Sequence, residues 1–310
     1  MNLRIAVIGV GHLGRHHARI LSALPGVELV AVVDTNRARA NDIAATHGTR
    51  ALYDAVDLAG RVDAVTIAVP TEQHAAIAVP FLQTGVAALV EKPLARSLAE
   101  ADAMIAASAA GGVVLAAGHT ERFNPAVDAA RTLLSDPRFI EVHRLGTFPE
   151  RSLDIDVVFD LMIHDLDVVL SMVPSEVASI EAVGVPVLTG RVDIANARVR
   201  FANGCIANLT ASRISRDRVR KIRFFQPAAY VSIDYAAQKV ERYRLVKGSG
   251  ATPSIEGGDI EVPNEEPLKR ELADFVDAVR SKRPPRVDGV QGRRALALAQ
   301  QITDKMSATG

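Results

Sequence analysis

Over the first 120 residues, short apolar runs without alternation take turns with amphipathic stretches. The runs at 4–9, 27–34, 63–70, 87–91 and 113–117 are rich in Val, Ile and Ala. Continuous apolar runs of this length predict strands covered on both faces of a parallel sheet. Between them, residues 12–24, 36–47, 71–84 and 97–109 predict helices. The last opens on Ser97-Leu98-Ala99-Glu100, a capping box in which Ser accepts from the N3 amide and Glu reaches back. Strand and helix in alternation predict a doubly wound α/β domain.

Beyond residue 120 the pattern changes. A long helical pattern over about 154–172 is flanked by runs that alternate apolar and polar positions, at 141–147, 177–184, 194–201, 205–212, 219–225, 230–234 and 240–246. Alternation predicts strands of an antiparallel sheet with one face covered. Asn203-Gly204 predicts a hairpin, because both residues tolerate positive φ. A Gly/Pro/Ser-rich stretch at 248–258 reads as a loop, and helices follow at 267–281 and 292–306. The expected organisation is a parallel-sheet domain over 1–121 and an α+β domain with a large, mostly antiparallel open sheet over 122–310. The terminal helices are free to pack back on the first domain.

Composition narrows the function. The 36 Lys and Arg balance 36 Asp and Glu over 310 residues, and zero net charge argues against binding nucleic acid or a membrane surface, either of which needs a clustered positive excess. A single cysteine, Cys205, excludes an intramolecular disulfide framework and suits a reducing, cytoplasmic setting. The apolar run at 5–10 is too short for a signal peptide and runs into a Gly-rich turn. The longest uncharged stretch, 103–118, is too short to span a bilayer.

Three motifs carry chemistry. Gly9-Val10-Gly11-His12-Leu13-Gly14 stands between a predicted strand and a predicted helix. Its glycines allow a tight turn and let backbone amides at the helix start approach a pyrophosphate. The next strand ends in Asp34, 20 residues after Gly14, where a carboxylate accepts from ribose hydroxyls and favours NAD over NADP. Arg37 tempers that preference, being able to meet a 2′-phosphate. Glu91-Lys92-Pro93 follows a strand directly, at the end that faces the ligand crevice in such a sheet. Lys92 there can hydrogen-bond a hydroxyl and stabilise developing alkoxide charge. Asp160-Leu161-Met162-Ile163-His164-Asp165-Leu166-Asp167 lies in the long helical pattern, with Asp160 four residues before His164. A carboxylate at that spacing orients an imidazole that accepts a proton near neutral pH. No further His or Cys stands at ligand spacing, so no metal is expected.

In this order and spacing the motifs resemble the Gfo/Idh/MocA family of NAD(P)-dependent oxidoreductases, over essentially the whole chain. The resemblance implies a Rossmann cofactor domain, Lys92 at the nicotinamide, and Asp160 with His164 beside the reacting carbon. It also implies that Gly9, Gly11, His12, Leu13 and Gly14 hold the cofactor phosphates, and that Val69, Pro70, Thr71, His74 and Glu91 lie along or near the cofactor. His119-Thr120-Glu121-Arg122-Phe123-Asn124-Pro125, taken with the Asp160 motif, is similar to the family's sugar-nucleotide branch. That likeness implies oxidation of the 3-hydroxyl of a UDP-N-acetylhexosamine, with Arg122 and Asn124 at the substrate. Val157-Val158-Phe159 and Met162 replace the glycines common in free-sugar members, which sets the chain apart from inositol and glucose enzymes. Dehydrogenation of a free polyol or aldose stays as the alternative. A non-catalytic NAD sensor is disfavoured because it needs none of Lys92, Asp160 and His164. Whether Lys92 or His164 takes the proton is left open at this level.

Two further expectations concern the second domain. Arg213, Arg216, Arg218, Arg220, Lys221 and Arg223 crowd into eleven residues opposed by Asp217 alone. Arginine forks suit phosphate oxygens, so this cluster, Arg213 first, is a candidate anchor for a substrate diphosphate; a solvated strand connection or an oligomer contact is the competing reading. The resemblance also implies a homodimer or homotetramer formed through the antiparallel sheet. His16 and His17, just after the glycine turn, read as surface or interdomain residues.

Overall fold

A computed structural model describes residues 2–148, 155–246 and 253–307. The chain divides into two compact units, Met1–His119 with Leu268–Leu296, and Thr120–Pro267 with Ala297–Gly310.

The first unit holds a six-stranded sheet in the order β3-β2-β1-β4-β5-β6. Its strands are β1 (Leu3–Ile8), β2 (Val27–Val33), β3 (Arg50–Leu52), β4 (Ala64–Ile67), β5 (Ala87–Glu91) and β6 (Leu115–Gly118). All five pairings are parallel, the doubly wound arrangement expected from the alternating pattern. β4 and β5 are buried at every residue, which is why their sequences carry no alternation. The connecting helices are α1 (Gly14–Ala23), α2 (Arg37–His47), α3 (His74–Gln83) and α4 (Leu98–Gly111). The Ser97 side chain accepts from Glu100 N at α4, as the capping box requires. Leu272, Phe275 and Val276 of α7 (Pro267–Ser281) join Ala18, Ile20 and Leu21 of α1 in one core cluster with β1 and β2. The sheet order reverses between β1 and β4, so their carboxyl ends mark the ligand crevice of such folds.

The second unit holds an eight-stranded sheet in the order β14-β13-β12-β11-β7-β10-β9-β8. The strands are β7 (Phe139–Leu145), β8 (Val177–Val185), β9 (Ile194–Phe201), β10 (Ile206–Ser212), β11 (Val219–Gln226), β12 (Ala229–Asp234), β13 (Lys239–Val246) and β14 (Ser254–Ile260). Every pairing is antiparallel except β7 with β10, which is parallel. The Asn203-Gly204 hairpin joins β9 to β10, with Gly204 at φ 87°. Alternate residues such as Ile140, Val142, Leu209, Ile222 and Phe224 are buried on one face. The other face carries a row of rings, Phe139, Phe225, Tyr230 and Tyr243, with successive centroids 5.6, 5.2 and 6.2 Å apart. Two further helices belong here, α5 (Pro125–Arg131) and α6 (Ile163–Met172), while α8 (Gly289–Ser307) closes the chain.

Three local expectations need revision. The helical pattern expected over 154–172 begins outside the described residues, and its described start is a π-helical turn, Val158–Met162, that passes into α6. The stretch expected to be a loop at 248–258 contains the start of β14, whose ladder to β13 runs from Val240↔Ile260 to Val246↔Ser254. Its residues are mostly exposed, so backbone pairing rather than burial makes it a strand, against the local preference of Gly and Pro. α5 was unmarked in the hydrophobic pattern, although Asn124 caps it and Pro125 opens it.

Among the described residues, no helix is long and apolar enough to cross a membrane.

Candidate active site

In the first unit the glycine turn is built for a ligand. Gly9 has φ 83°, and a Cβ on it would lie 2.6 Å from the Ala68 carbonyl oxygen. A Cβ on Gly14 would lie 1.7 Å from the Gly9 carbonyl oxygen. Both positions therefore exclude a side chain because the turn packs on its own backbone, whereas a Cβ on Gly11 between them would meet only Arg39 Nη1, at 3.5 Å. No side chain caps α1 and no acid stands in its first turn, which leaves its amino end to receive an anion. His12 and Leu13 lie at the exposed crest of this turn.

Asp34 follows β2 directly. Its Oδ2 accepts from Val10 N at 3.1 Å and its Oδ1 from Asn36 N at 2.8 Å, so the carboxylate is fixed beside the glycine turn. The cation next to it is Arg39, whose Nε stands 3.2 Å from Asp34 Oδ2. Arg37 instead lies 4.4 Å over the Tyr53 ring. The sequence singles out Arg37 at this place, and the structure substitutes Arg39, two residues further along the same helix start. These donors and cradles fit a dinucleotide: close-approach glycines for the pyrophosphate, a free helix end, and a fixed carboxylate for ribose hydroxyls.

At the carboxyl end of β5, Lys92 is half-buried and joined to Pro93 by a cis peptide bond. Residues around it are tied down. His74 is 1% exposed, with Nδ1 3.0 Å from the Pro93 carbonyl and Nε2 3.0 Å from the Val69 carbonyl. It joins the Val69-Pro70-Thr71 segment to the turn that carries Lys92. Glu91 faces α1, where His17 Nε2 stands 3.0 Å from its Oε1. Burial alone would raise the Glu91 carboxyl. The hydrogen bond and charge of His17, with Lys92 after it, outweigh that and hold it below the usual carboxylate range. The sequence reading of His17 as a surface residue is thus overturned, since it is 0% exposed. The signal was present: His17 stands four residues before Leu21, on the apolar face of α1.

In the second unit the acidic helix motif sorts into two kinds of residue. Asp160 lies in the π turn and His164 in the first turn of α6, both half-buried. Turns of this kind frequently mark functional sites in helices. Asp165 and Asp167 are 1% and 2% exposed and face inward. Arg144 Nε and Nη2 grip Asp165 at 2.5 and 3.1 Å, and Arg144 Nη2 also reaches Glu121 at 3.1 Å. Burial works against the charge of Arg144, but Asp165 and Glu121 outweigh it and keep the guanidinium firmly protonated. Arg144 escaped sequence reading, although its inward place after Ile140 and Val142 on β7 requires a buried counter-charge.

Three residues expected at the substrate also take part in this framework. Arg122 is 5% exposed, with Nη1 3.1 Å from Asp167 Oδ1. Asn124 is 1% exposed, caps α5 through Ala126 N, and donates to the Tyr235 carbonyl at 3.1 Å. Arg213 is 1% exposed and lies 3.4 Å from Asp193, donating also to the carbonyls of Val192, at 3.0 Å, and Ile155. Each of the three thus has partners inside its own unit. Lys221 and Arg223 of the same cluster pair with Asp234 and Glu141 at 3.5 and 2.7 Å, while Arg216, Arg218 and Arg220 are exposed.

Asp193 supports Arg213 from a tight loop. Its carboxylate accepts from the amides of Val187, Leu188 and Thr189 at 2.8, 2.6 and 2.9 Å. Burial would raise this carboxyl, yet those amides and the Thr189 hydroxyl bring it down to about 2.

Comparison with known proteins agrees with this geometry. Residues 3–119 match the oxidoreductase family with an NAD-binding Rossmann fold, and residues 98–226 match the GFO/IDH/MocA C-terminal domain. The chain is 40% identical over 306 residues to UDP-N-acetylglucosamine 3-dehydrogenase of Acidithiobacillus ferrooxidans, covering 97% of this chain and 96% of that one. The solved structure of that enzyme superposes with a TM-score of 0.94 at 39% identity, covering 99% of this chain and 98% of the other. The chain is also 30% identical to the NAD-dependent scyllo-inositol 2-dehydrogenase of Bacillus subtilis, over 69% of this chain and 68% of that enzyme.

Proposed function

The chain belongs to the GFO/IDH/MocA family of NAD-binding oxidoreductases, and from that membership we propose that it oxidises the 3-hydroxyl of a UDP-linked 2-acetamido sugar. One observation carries the choice of substrate: the 40% identity to UDP-N-acetylglucosamine 3-dehydrogenase runs over 97% of the chain, whereas the inositol enzyme aligns at 30% over 69%. NAD, when bound, would supply the hydride acceptor for the carbon that carries the hydroxyl. The chain's own residues divide the remaining work. The backbone of Gly9–Gly14 and the amino end of α1 hold the phosphates, and the Asp34 carboxylate takes the adenosine ribose hydroxyls, with Arg39 beside it. Lys92 polarises the sugar oxygen and stabilises its developing negative charge. His164 removes the hydroxyl proton and Asp160 orients it. Asp160 and His164 are presented by a helix whose next acid, Asp165, is locked by Arg144, so the pair stands on a rigid element.

The exposed Arg216, Arg218 and Arg220 are the members of the basic cluster left to meet a diphosphate. A second copy of the chain fits the ring-bearing face of the eight-stranded sheet, where Phe139, Phe225, Tyr230 and Tyr243 form an apolar row.

The test is NADH formation at 340 nm across a panel of UDP-sugars and free polyols. Turnover with UDP-N-acetylglucosamine and none with inositols or free aldoses is expected. Turnover confined to free polyols would overturn the substrate assignment and leave the family intact.

A further inference from the structure

His17 and Glu91 form a buried hydrogen-bonded pair inside the first unit that the cofactor cradle does not require. His17 is 0% exposed and Glu91 5%. Two ionisable groups placed out of water are costly unless their geometry is good, so such a pair calls for a reason. The contact is specific in its atoms. His17 Nε2 stands 3.0 Å from Glu91 Oε1, and Glu91 Oε2 accepts from the backbone amide of Lys92 at 3.3 Å. One carboxylate thus joins α1 to the peptide unit of Lys92. Gly118, the last residue of β6, preserves the space: a Cβ there would lie 3.0 Å from both Glu91 Oε2 and Glu91 Cα. His74 grips the same turn beyond Lys92, through the carbonyls of Pro93 and Leu94 at 3.0 and 3.3 Å. The residues on both sides of Lys92 are therefore held by buried imidazoles.

We propose that His17 is a positioning residue for Lys92: through the Glu91 carboxylate it fixes the strand-end turn that presents Lys92. It also ties that turn to the helix whose amino end receives the cofactor phosphates. The inference rests on the reading of Lys92 as the group that acts on the substrate hydroxyl. The mechanism is geometric and electrostatic together. With Oε1 engaged by His17, the carboxylate plane is set and Oε2 meets the Lys92 amide. Without that partner, the carboxylate turns freely in a poorly solvated site, where the nearby Lys92 ammonium attracts it strongly. Lys92 is then drawn from the hydroxyl, and misplacement of about 1 Å at a reacting group costs on the order of 100-fold in rate.

Two variants separate this role from simple core filling. Gln carries its amide nitrogen near the place of Nε2, whereas Asn ends near Nδ1. His17→Gln should keep kcat for UDP-N-acetylglucosamine within about fivefold of the parent, and His17→Asn should lower it on the order of 30-fold or more. The Kd for NADH, read from its fluorescence, should stay within about threefold in both, because the glycine turn is untouched. Both rates are expressed per NADH-binding site, which removes any loss through misfolding. Equal kcat in the two variants would overturn the proposal, as would a loss in His17→Asn that lies wholly in NADH affinity. Lys92→Met run alongside keeps the two readings apart. If it is inactive while both His17 variants match the parent, the positioning role alone fails. If it turns over normally, the role of Lys92 falls and the positioning role with it.

Discussion

At the carboxyl ends of β1, β2 and β5, charged groups border the crevice proposed for the ligand: Asp34 beside the glycine turn, and Lys92 on a turn braced by His17 and His74. In the eight-stranded unit the conspicuous cations do the opposite. Arg122, Arg144 and Arg213 are each at most 5% exposed and face Asp167, Asp165 and Asp193 of their own unit. The parallel sheet makes its site largely from backbone geometry, and a few side chains are added at strand ends. In the second unit the mostly buried α6 is tied down by ion pairs through Arg144–Asp165 and Arg122–Asp167, which fix that helix in register. The charged groups at the strand ends of the first unit carry the proposed ligand chemistry, whereas the buried arginines of the second unit are internal scaffolding.

Four variants would break or sharpen that contrast. The largest expected effect is Gly14→Ala, whose Cβ meets the Gly9 carbonyl oxygen at 1.7 Å. NADH affinity should fall about 100-fold or more, equivalent to roughly 2.7 kcal/mol, by fluorescence titration. Unchanged affinity would remove the glycine turn from the cofactor site. Next, Arg144→Met leaves Asp165 buried without its partner and should cost about 3–5 kcal/mol, seen as a fall of about 10 °C in Tm. NADH affinity should not move. A shifted Kd with an unchanged Tm would make Arg144 a ligand residue after all.

The third concerns acid. The Asp193 carboxyl sits at about 2 in the folded chain, below the roughly 3.9 of an unfolded aspartate. Its contribution to stability is therefore complete above about pH 4 and fades as pH falls toward 2. Asp193→Asn should be less stable at pH 7 and should lose less on acidification over that window, measured by urea unfolding at each pH. Parallel curves for parent and variant would contradict the assignment. The smallest effect is expected from Arg216→Ala with Arg218→Ala. KM for the UDP-sugar should rise about fivefold, worth roughly 1 kcal/mol, with kcat retained.

The first unit was largely legible in the sequence because its requirements are steric and periodic. Gly9 and Gly14 can hardly be anything else in that turn, and unalternating strands announce two covered faces. The second unit hid its logic because pairing is set by tertiary contact. Nothing local to Arg213 tells whether its partner is a phosphate or Asp193, and nothing local to Asp165 points to Arg144, 21 residues away. β14 was unreadable for a related reason, since its strand character comes from the β13 ladder and not from its own residues. His17 and Arg144 were recoverable in principle, each standing at an inward position of a clear amphipathic period.

The central claim is hydride transfer from C3 of a UDP-linked 2-acetamido sugar to NAD. It is tested most directly with UDP-N-acetylglucosamine deuterated at C3, by mass analysis of the NADH formed. The account predicts NADH heavier by about one mass unit, with turnover slowed where hydride transfer limits the rate. Unlabelled NADH formed from the labelled sugar, or no NADH at all, would contradict it.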